Sequence, residues 1–104
     1  MAAAAKKLRE STDYAIVAFP GYFALIFHTY AFLRGFDTWL MDIKRNPQLY
    51  RHLADKLLAI NLKCTKRYLD EVSPYIDGVL YGDDMGHQGG PFMSVDAFRV
   101  WVKP

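Results

Sequence analysis

Two adjacent carboxylates, Asp83 and Asp84, follow a short run of strand-forming residues and precede a glycine-rich loop. In α/β proteins the carboxyl ends of strands face the sites where the following loops surround a ligand. An acid in this position could accept a hydrogen bond from a pyrrole-like N–H or bind a cation. Alternatively, one of the two acids accepts backbone N–H bonds and stabilises its own loop. Neighbouring side chains on a strand point to opposite sides, so only one acid faces a ligand unless the chain turns at Gly82.

His87 and Gln88 lie in the same loop and are flanked by glycines. Glycines allow backbone and side chains to approach a ligand closely, so this pair is a second candidate for ligand contact. The loop offers three possible metal ligands but no thiolate and no second histidine, so no metal site is predicted. It also lacks the pattern of a phosphate-binding loop. His28 lies in an apolar segment and is interpreted as a hydrogen-bonded core histidine.

The elements that must position these residues alternate between strands and helices. Apolar runs at 14–19 and 76–81 predict two strands. Helices are predicted at 3–11, at 21–33, from a cap at Gly35 or Asp37 through Lys44, from Asn46-Pro47 to Ser73-Pro74, and from Ser94 with Asp96 through Val102. A strand followed by helices and a second strand predicts two parallel strands in one sheet.

The longest predicted helix is amphipathic, and its pattern indicates a packing helix rather than a partner-binding one. Cys64, the single cysteine, falls on the expected apolar side and is interpreted as a buried thiol in a reducing, cytoplasmic compartment. The apolar side is expected to comprise Leu49, Leu53, Leu57, Ile60, Cys64 and Tyr68.

Composition excludes several classes of protein. With 104 residues, 52% of them hydrophobic, the chain is expected to form a single domain. Its net charge of +2 is spread along the sequence without a basic stripe, so nucleic acid is not an expected partner. The uncharged stretch from Tyr14 to Leu33 is long enough for a membrane span. Because Pro20-Gly21 divides it, a strand followed by a buried helix is the preferred interpretation.

Two parallel strands leave two open edges and need cover on both faces. The chain is therefore expected to associate with further copies of itself or to form part of a larger sheet.

An ordered series of motifs carries a family resemblance. The series consists of Leu33-Arg34-Gly35-Phe36-Asp37, Leu40-Met41-Asp42, Asn46-Pro47, the loop Asp83-Asp84-Met85-Gly86-His87-Gln88, Ser94 through Phe98, and Lys103-Pro104. In this order the motifs resemble an internal section of the uroporphyrinogen decarboxylase superfamily, which includes corrinoid and coenzyme M methyltransferases. The resemblance covers residues 13–104, while residues 1–12 form a lead-in helix.

The resemblance implies an α/β fold, as a partial (β/α)8 barrel segment that is helix-rich, has two short parallel strands and is completed by oligomerisation. It implies an ancestral role in tetrapyrrole decarboxylation or methyl transfer, with a tetrapyrrole or other small molecule as ligand and a corrinoid as a possible cofactor. The loop looks more like that of the methyltransferase branch. In the decarboxylases the corresponding turn carries a serine near the substrate, and Asp83 occupies the position of that serine. Tyr30 is the nearest match to a substrate-side tyrosine of the decarboxylases.

The resemblance also implies limits on catalysis by this chain. The decarboxylase arginines and aspartate that bind substrate belong to an earlier section of the family sequence, and the methyltransferase zinc ligands belong to a later one. Whether the chain is an enzyme is therefore left open, and it is not expected to catalyse a reaction alone. The alternative is a non-enzymatic, self-associating interaction module. Asp83, Asp84, His87, Gln88 and Tyr30 are the candidate substrate-binding residues.

Overall fold

Helices dominate the computed structural model, which describes residues 2–20 and 26–103. In chain order the elements are α1 (Ala2–Ser11), β1 (Val17–Ala18), α2 (Ile26–Arg34), α3 (Phe36–Arg45), α4 (Pro47–Val72), a 3-10 turn (Ser73–Tyr75), β2 (Gly78–Val79), β3 (Gly86–His87), β4 (Gly90–Pro91) and α5 (Val95–Trp101). The predicted helices are all found, although residues 21–25 of the second one lie outside the described residues. No described helix combines the length and the apolar character needed to cross a membrane.

β1 and β2 form a parallel pair, with Val17 beside Gly78 and Ala18 beside Val79. The predicted parallel arrangement is confirmed, but each strand is shorter than its apolar run. The connection between them contains α2, α3 and α4, as a parallel crossover requires. The fold is thus a helix-rich α/β arrangement, and these two strands do not by themselves close a barrel.

The glycine-rich loop contains an antiparallel hairpin that was not predicted. β3 pairs with β4 through Gly86 with Pro91 and His87 with Gly90. Glycine and proline disfavour strands, so composition gave no signal for it. Gly90 adopts φ 139, a conformation that favours glycine and lets the chain re-enter the pair after the turn.

An aromatic core lies where α2, α3 and α4 meet. Phe27 and Trp39 make an edge-to-face contact with ring centroids 5.1 Å apart, and Tyr30 and Tyr50 lie 5.0 Å apart. Such contacts add about 0.5–1.5 kcal/mol to the free energy of burial. Ile43 completes the buried cluster. Trp39 is 1% exposed and packs inside this cluster.

At the junction between α3 and α4, the helix α4 begins without a side-chain cap. Asn46 is the residue before α4, but its side chain accepts no hydrogen bond from that helix. Instead its Nδ2 donates to Asp42 Oδ1 at 3.0 Å. Asp42 is 1% exposed, and a buried carboxylate without hydrogen-bond donors is very unfavourable. The N–H groups at the exposed start of α4 can bind water instead, so the Asn46 side chain serves Asp42. α5 begins as predicted, because Ser94 Oγ accepts the Ala97 N–H at 3.2 Å.

The interior face of α4 is rotated from the predicted one. Cys64 is exposed, so the prediction of a buried thiol is wrong. Leu49 and Ile60 are 40% and 58% exposed. Polar side chains share the inward face with apolar ones, so the spacing of apolar residues alone does not identify this face. That face consists of Tyr50, Leu53, Ala54, Leu57, Asn61, Thr65, Tyr68, Leu69 and Val72.

One carboxylate connects α1 to the sheet. Asp77, just before β2, accepts the Ile16 N–H at 2.8 Å and the Arg9 guanidinium at 2.6 Å on the same oxygen. The Asp77 N–H donates in turn to the Ile16 carbonyl at 2.8 Å. The Ile16 N–H, followed by Arg9, lowers the pKa of Asp77 below its usual range. This contact aligns the lead-in helix with the amino-terminal ends of both strands.

The molecule is extended for its length. Its radius of gyration is 16.9 Å, against about 13 Å for a compact domain of this size. Large apolar side chains are exposed on several elements, including Phe32 at 77%, Leu62 at 61% and Leu80 at 58%. The core therefore takes up only part of the apolar surface that the sequence provides.

Candidate functional site

The loop that follows β2 meets the described start of α2 through Asp83. Asp83 Oδ2 accepts the Phe27 N–H at 3.1 Å, and Oδ1 lies 2.9 Å from His28 Nδ1. The Asp83 side chain is 12% exposed, so this is a sheltered contact. Because two of its acceptor positions are occupied by α2, Asp83 positions other groups and does not project freely toward a ligand.

Asp84 lies on the other side of the His28 ring. Its Oδ2 is 3.7 Å from His28 Nε2, and its side chain is 82% exposed. The two adjacent acids thus reach the two nitrogens of one imidazole. We call His28, Asp83 and Asp84 the histidine–acid cluster. Residues 81–85 lie outside the strands, so the two acids are not held on opposite sides of a strand.

The His28 ring has one sheltered nitrogen and one accessible nitrogen. A hydrogen bond to Asp83 requires the proton on Nδ1, which fixes the ring orientation and leaves Nε2 toward Asp84. The side chain is 29% exposed. Nε2 and Asp84 together can accept a hydrogen bond from a ligand N–H or O–H, or hold a positively charged group. When protonated, His28 can instead donate to a ligand carboxylate.

Sequence reasoning placed His28 in the core and outside the site. Its hydrogen bond confirms the expected satisfied histidine, but its partner is one of the candidate site acids. Local spacing could not reveal the pair, since the two residues are 55 positions apart. The available signal was the parallel sheet, which brings the residues after β1 and those after β2 to the same edge.

His87 and Gln88 lie in the hairpin and are exposed. His87 Nδ1 accepts the Gly89 N–H at 2.9 Å, and its ring lies 5.5 Å from the Phe92 ring. A Cβ on Gly89 would lie 2.7 Å from His87 Cε1, so a larger residue there would displace the ring. No described contact joins His87 to the histidine–acid cluster. His87 stabilises the hairpin turn, and Gln88 lies at its tip.

Tyr30 is buried at the junction of α2 with α3. Its hydroxyl donates to Asp42 Oδ2 at 3.2 Å, and the side chain is 1% exposed. Asp42 also accepts the Arg34 Nε–H at 3.0 Å. Burial, followed by the charge of Asp42, raises the pKa of Tyr30 to about 12. The hydrogen bonds from Arg34 and then Asn46 lower the pKa of Asp42. Tyr30 therefore holds a buried polar network together and presents almost no surface to a ligand.

An apolar pocket of about 150 Å³ lies beside the cluster. Phe27, whose N–H donates to Asp83, lines this pocket, and so does Met85, which directly follows Asp84. A cavity of this volume holds a group about the size of benzene. Its lining consists of Phe27, Met85, Pro91, Met93, Val95 and Phe98.

The described residues contain no group of three or more histidine, cysteine or acidic side chains arranged to hold a metal ion. Comparisons of the chain with known protein families, with curated proteins and with solved structures find no match.

Proposed function

We propose that this chain is a section of a parallel α/β barrel related to the uroporphyrinogen decarboxylase and corrinoid methyltransferase superfamily. In this proposal the histidine–acid cluster contributes to a small-molecule site at the barrel mouth. The observation that carries the proposal is the convergence of residues that follow β1 and β2 on one cluster. In parallel barrels, ligands bind at the carboxyl ends of the strands.

The motif series gives independent support. The loop from Asp83 to Gln88 resembles a site loop of the family, and its adjacent acids reach His28 on the neighbouring element. The apolar pocket beside the cluster offers space for a hydrophobic part of the ligand. A tetrapyrrole or corrinoid combines apolar rings with polar groups that an acid or histidine can bind.

The cluster alone supplies binding groups and not a complete set of reacting groups. Acid–base or metal-assisted chemistry needs several side chains that converge on the reacting atoms. Decarboxylation or methyl transfer would therefore need groups from other barrel sections. For the isolated chain we propose ligand binding without turnover.

Titration with a porphyrin and, separately, with cobalamin tests the ligand. Asp84→Asn removes the exposed carboxylate with little effect on folding, and should weaken binding about tenfold, the equivalent of about 1.4 kcal/mol. Asp37→Asn, an exposed acid on α3, is the control and should bind as the unchanged chain does. Absence of binding to both probes, or equal affinities for the two variants, would reject the proposed ligand site.

A second candidate function is self-association without a small-molecule ligand. It is favoured by the extended shape and by the large exposed apolar side chains, which monomeric proteins rarely leave in continuous patches. This candidate requires homo-oligomers in solution. The barrel proposal and self-association are compatible, because partner copies could supply the missing strands.

A further inference from the structure

The apolar pocket beside the histidine–acid cluster lies between several segments that are distant in the sequence. α2 supplies Phe27, the loop after β2 supplies Met85, and β4 supplies Pro91. Met93, just before α5, and two residues of α5 complete the lining. Phe27 is buried and belongs to the aromatic core, whereas Met85 and Val95 are exposed. Phe27 therefore forms the floor of the pocket, and Met85 and Val95 form its rim.

Contacts within the chain hold the walls of this pocket in place. The Phe92 N–H donates to the Met85 carbonyl at 3.0 Å, which ties the two sides of the hairpin together. The Phe92 ring packs edge to face against Phe36, with the ring centroids 5.0 Å apart. At the floor, Phe27 packs in the same way against Trp39, at 5.1 Å. The pocket is therefore formed before a ligand enters, which lowers the entropic cost of binding.

The size and chemistry of the pocket define the apolar part of its ligand. All six lining side chains are apolar, and two of them are methionines, whose thioethers pack favourably against aromatic rings. A volume of about 150 Å³ holds one benzene-sized group. Pockets for drug-sized ligands begin at about 300 Å³, so a tetrapyrrole does not fit inside this one. The pocket suits a small ligand with a single ring or a compact branched chain.

The charge beside the rim defines the polar part of the ligand. Asp84 directly precedes Met85, and its carboxylate is largely exposed, with Oδ2 3.7 Å from His28 Nε2. Two carboxylates face one imidazole in the histidine–acid cluster, so the net charge is negative whether or not the ring is protonated. This charge attracts an ammonium group and repels a carboxylate. Consecutive Cα atoms lie about 3.8 Å apart, so a short linker joins a ring in the pocket to a nitrogen beside Asp84.

We propose that this pocket binds small primary amines that carry one benzene-sized apolar group, with the ammonium group beside Asp84. The proposal rests on the part of the proposed function that places a small-molecule site at the histidine–acid cluster, and it names the class of ligand for that site. Exposed charge pairs contribute little in water, whereas an enclosed apolar group is removed from water. The pocket therefore supplies most of the affinity, and Asp84 supplies the preference for amines.

Titration with benzylamine, followed by nuclear magnetic resonance of the methionine methyl groups, tests the pocket. The Kd should be about 1 mM, a value within the range for so small a ligand. The methyl resonances of Met85 and Met93 should shift, because the ring current of the ligand acts at short range. Met41 on α3 is the internal control, since it is 40% exposed, Met85 is 39% exposed, and Met41 does not line the pocket. Shifts of Met41 as large as those of Met85, or no shifts up to about 10 mM ligand, overturn the proposal.

Benzyl alcohol and benzoate test the charge preference. Both keep the ring, but they replace the ammonium group by a neutral group or by an anion. Benzyl alcohol should bind about threefold more weakly than benzylamine, and benzoate more weakly still. Asp84→Asn should largely remove the difference between amine and alcohol, because the remaining acid, Asp83, is already bonded to His28. Asp37→Asn, an exposed acid on α3, should keep the difference. Equal affinities of amine and alcohol for the unchanged chain overturn the assignment to amines.

Two variants of α5 test the pocket without altering the cluster. Val95→Phe adds a ring at the rim and should weaken benzylamine binding about tenfold. Val100→Phe is the matched control, since Val95 and Val100 are 60% and 52% exposed and Val100 does not line the pocket. Circular dichroism should show the helix content of the unchanged chain in both variants, because both side chains are exposed. Equal affinities of the two variants would place the ligand elsewhere and overturn the proposal.

The outcomes separate this inference from the proposed function. Failure of benzylamine to bind, together with Asp84-dependent binding of a porphyrin or cobalamin, overturns the amine class and leaves the proposed function standing. Benzylamine binding that depends on Val95 and Asp84, without binding of a porphyrin or cobalamin, rejects the tetrapyrrole ligand and keeps the small-molecule site. Failure of every probe rejects both.

Discussion

His28 Nδ1 lies 2.9 Å from Asp83 Oδ1, across a separation of 55 positions in the sequence. The same carboxylate accepts the Phe27 N–H, so one side chain fixes the loop after β2 to α2. The bond also selects which imidazole nitrogen carries the proton. A candidate ligand-binding group, the Nε2 of His28, is therefore oriented by a residue from the other end of the crossover.

Asp83→Asn should destabilise the chain by about 1–3 kcal/mol, since it removes a charged acceptor from a sheltered pair of donors. Urea unfolding measures this change. The side-chain nitrogen resonances of His28 should also shift. A neutral amide is a weaker acceptor than the carboxylate, so it favours the tautomer with the proton on Nδ1 less strongly.

Asp84→Asn is the matched control for this substitution, since its carboxylate is 82% exposed and touches the same ring. Its free energy of unfolding should stay within about 0.5 kcal/mol of the unchanged chain. Equal losses in the two variants would contradict the separate roles assigned to Asp83 and Asp84.

Asp42→Asn should cost about 2 kcal/mol of folding free energy, because Arg34, Tyr30 and Asn46 all donate to this carboxylate. Asp37→Asn, on the exposed side of the same helix, should have little effect on urea unfolding. A loss no larger for Asp42→Asn than for Asp37→Asn would show that the network does not stabilise the fold.

Acid should unfold the chain for a related reason. The pKa values of Asp42 and Asp77 are lower in the folded chain than in the unfolded one. Their stabilisation is therefore fully present above the unfolded value of about 4, and is lost as the pH falls through the folded values. Urea midpoints measured from neutral pH downward should fall below about pH 4. The fall should be shallower in Asp42→Asn.

The raised pKa of Tyr30 predicts a loss of folding stability at alkaline pH. Its folded pKa of about 12 exceeds the unfolded value of about 10, so its stabilisation is complete below about pH 10 and is lost as the pH approaches 12. In an ultraviolet titration of the seven tyrosines, Tyr30 should ionise last or only with unfolding. Burial also raises the pKa of Tyr50, so Tyr50 should ionise later than an exposed tyrosine as well. Tyr30→Phe should remove one tyrosine from the late part of the curve. An unchanged late amplitude in this variant would contradict the assignment to Tyr30.

Gly89→Ala should displace the exposed His87 ring, because the new Cβ would lie 2.7 Å from His87 Cε1, and should thereby break the bond from the Gly89 N–H to His87 Nδ1. Gly82→Ala is the control, as nothing lies within 4 Å of a Cβ there. Amide chemical shifts of Gly86 and His87 should change strongly in the first variant and weakly in the second. Similar shifts in both would contradict the close approach of His87 to Gly89.

The sequence predicted the order of helices, the parallel pair and the acids after β2. Spacing and capping are local signals, and these features depend on them. The role of His28 depends on a contact between distant residues, so no local pattern contained it. Cys64 was misplaced for a different reason, because Asn61 and Thr65 share the inward face of α4 and only tertiary packing selects that face.

The parallel pairing has a consequence for synthesis on the ribosome. Ile16 must remain without its acceptor Asp77 until 61 further residues have been added. During that interval the nascent β1 segment has no partner strand, while the local helices can already form. A chaperone that shields short hydrophobic segments would bind residues 14–19. This protection would no longer be needed once Asp77 leaves the exit tunnel and β2 can pair with β1.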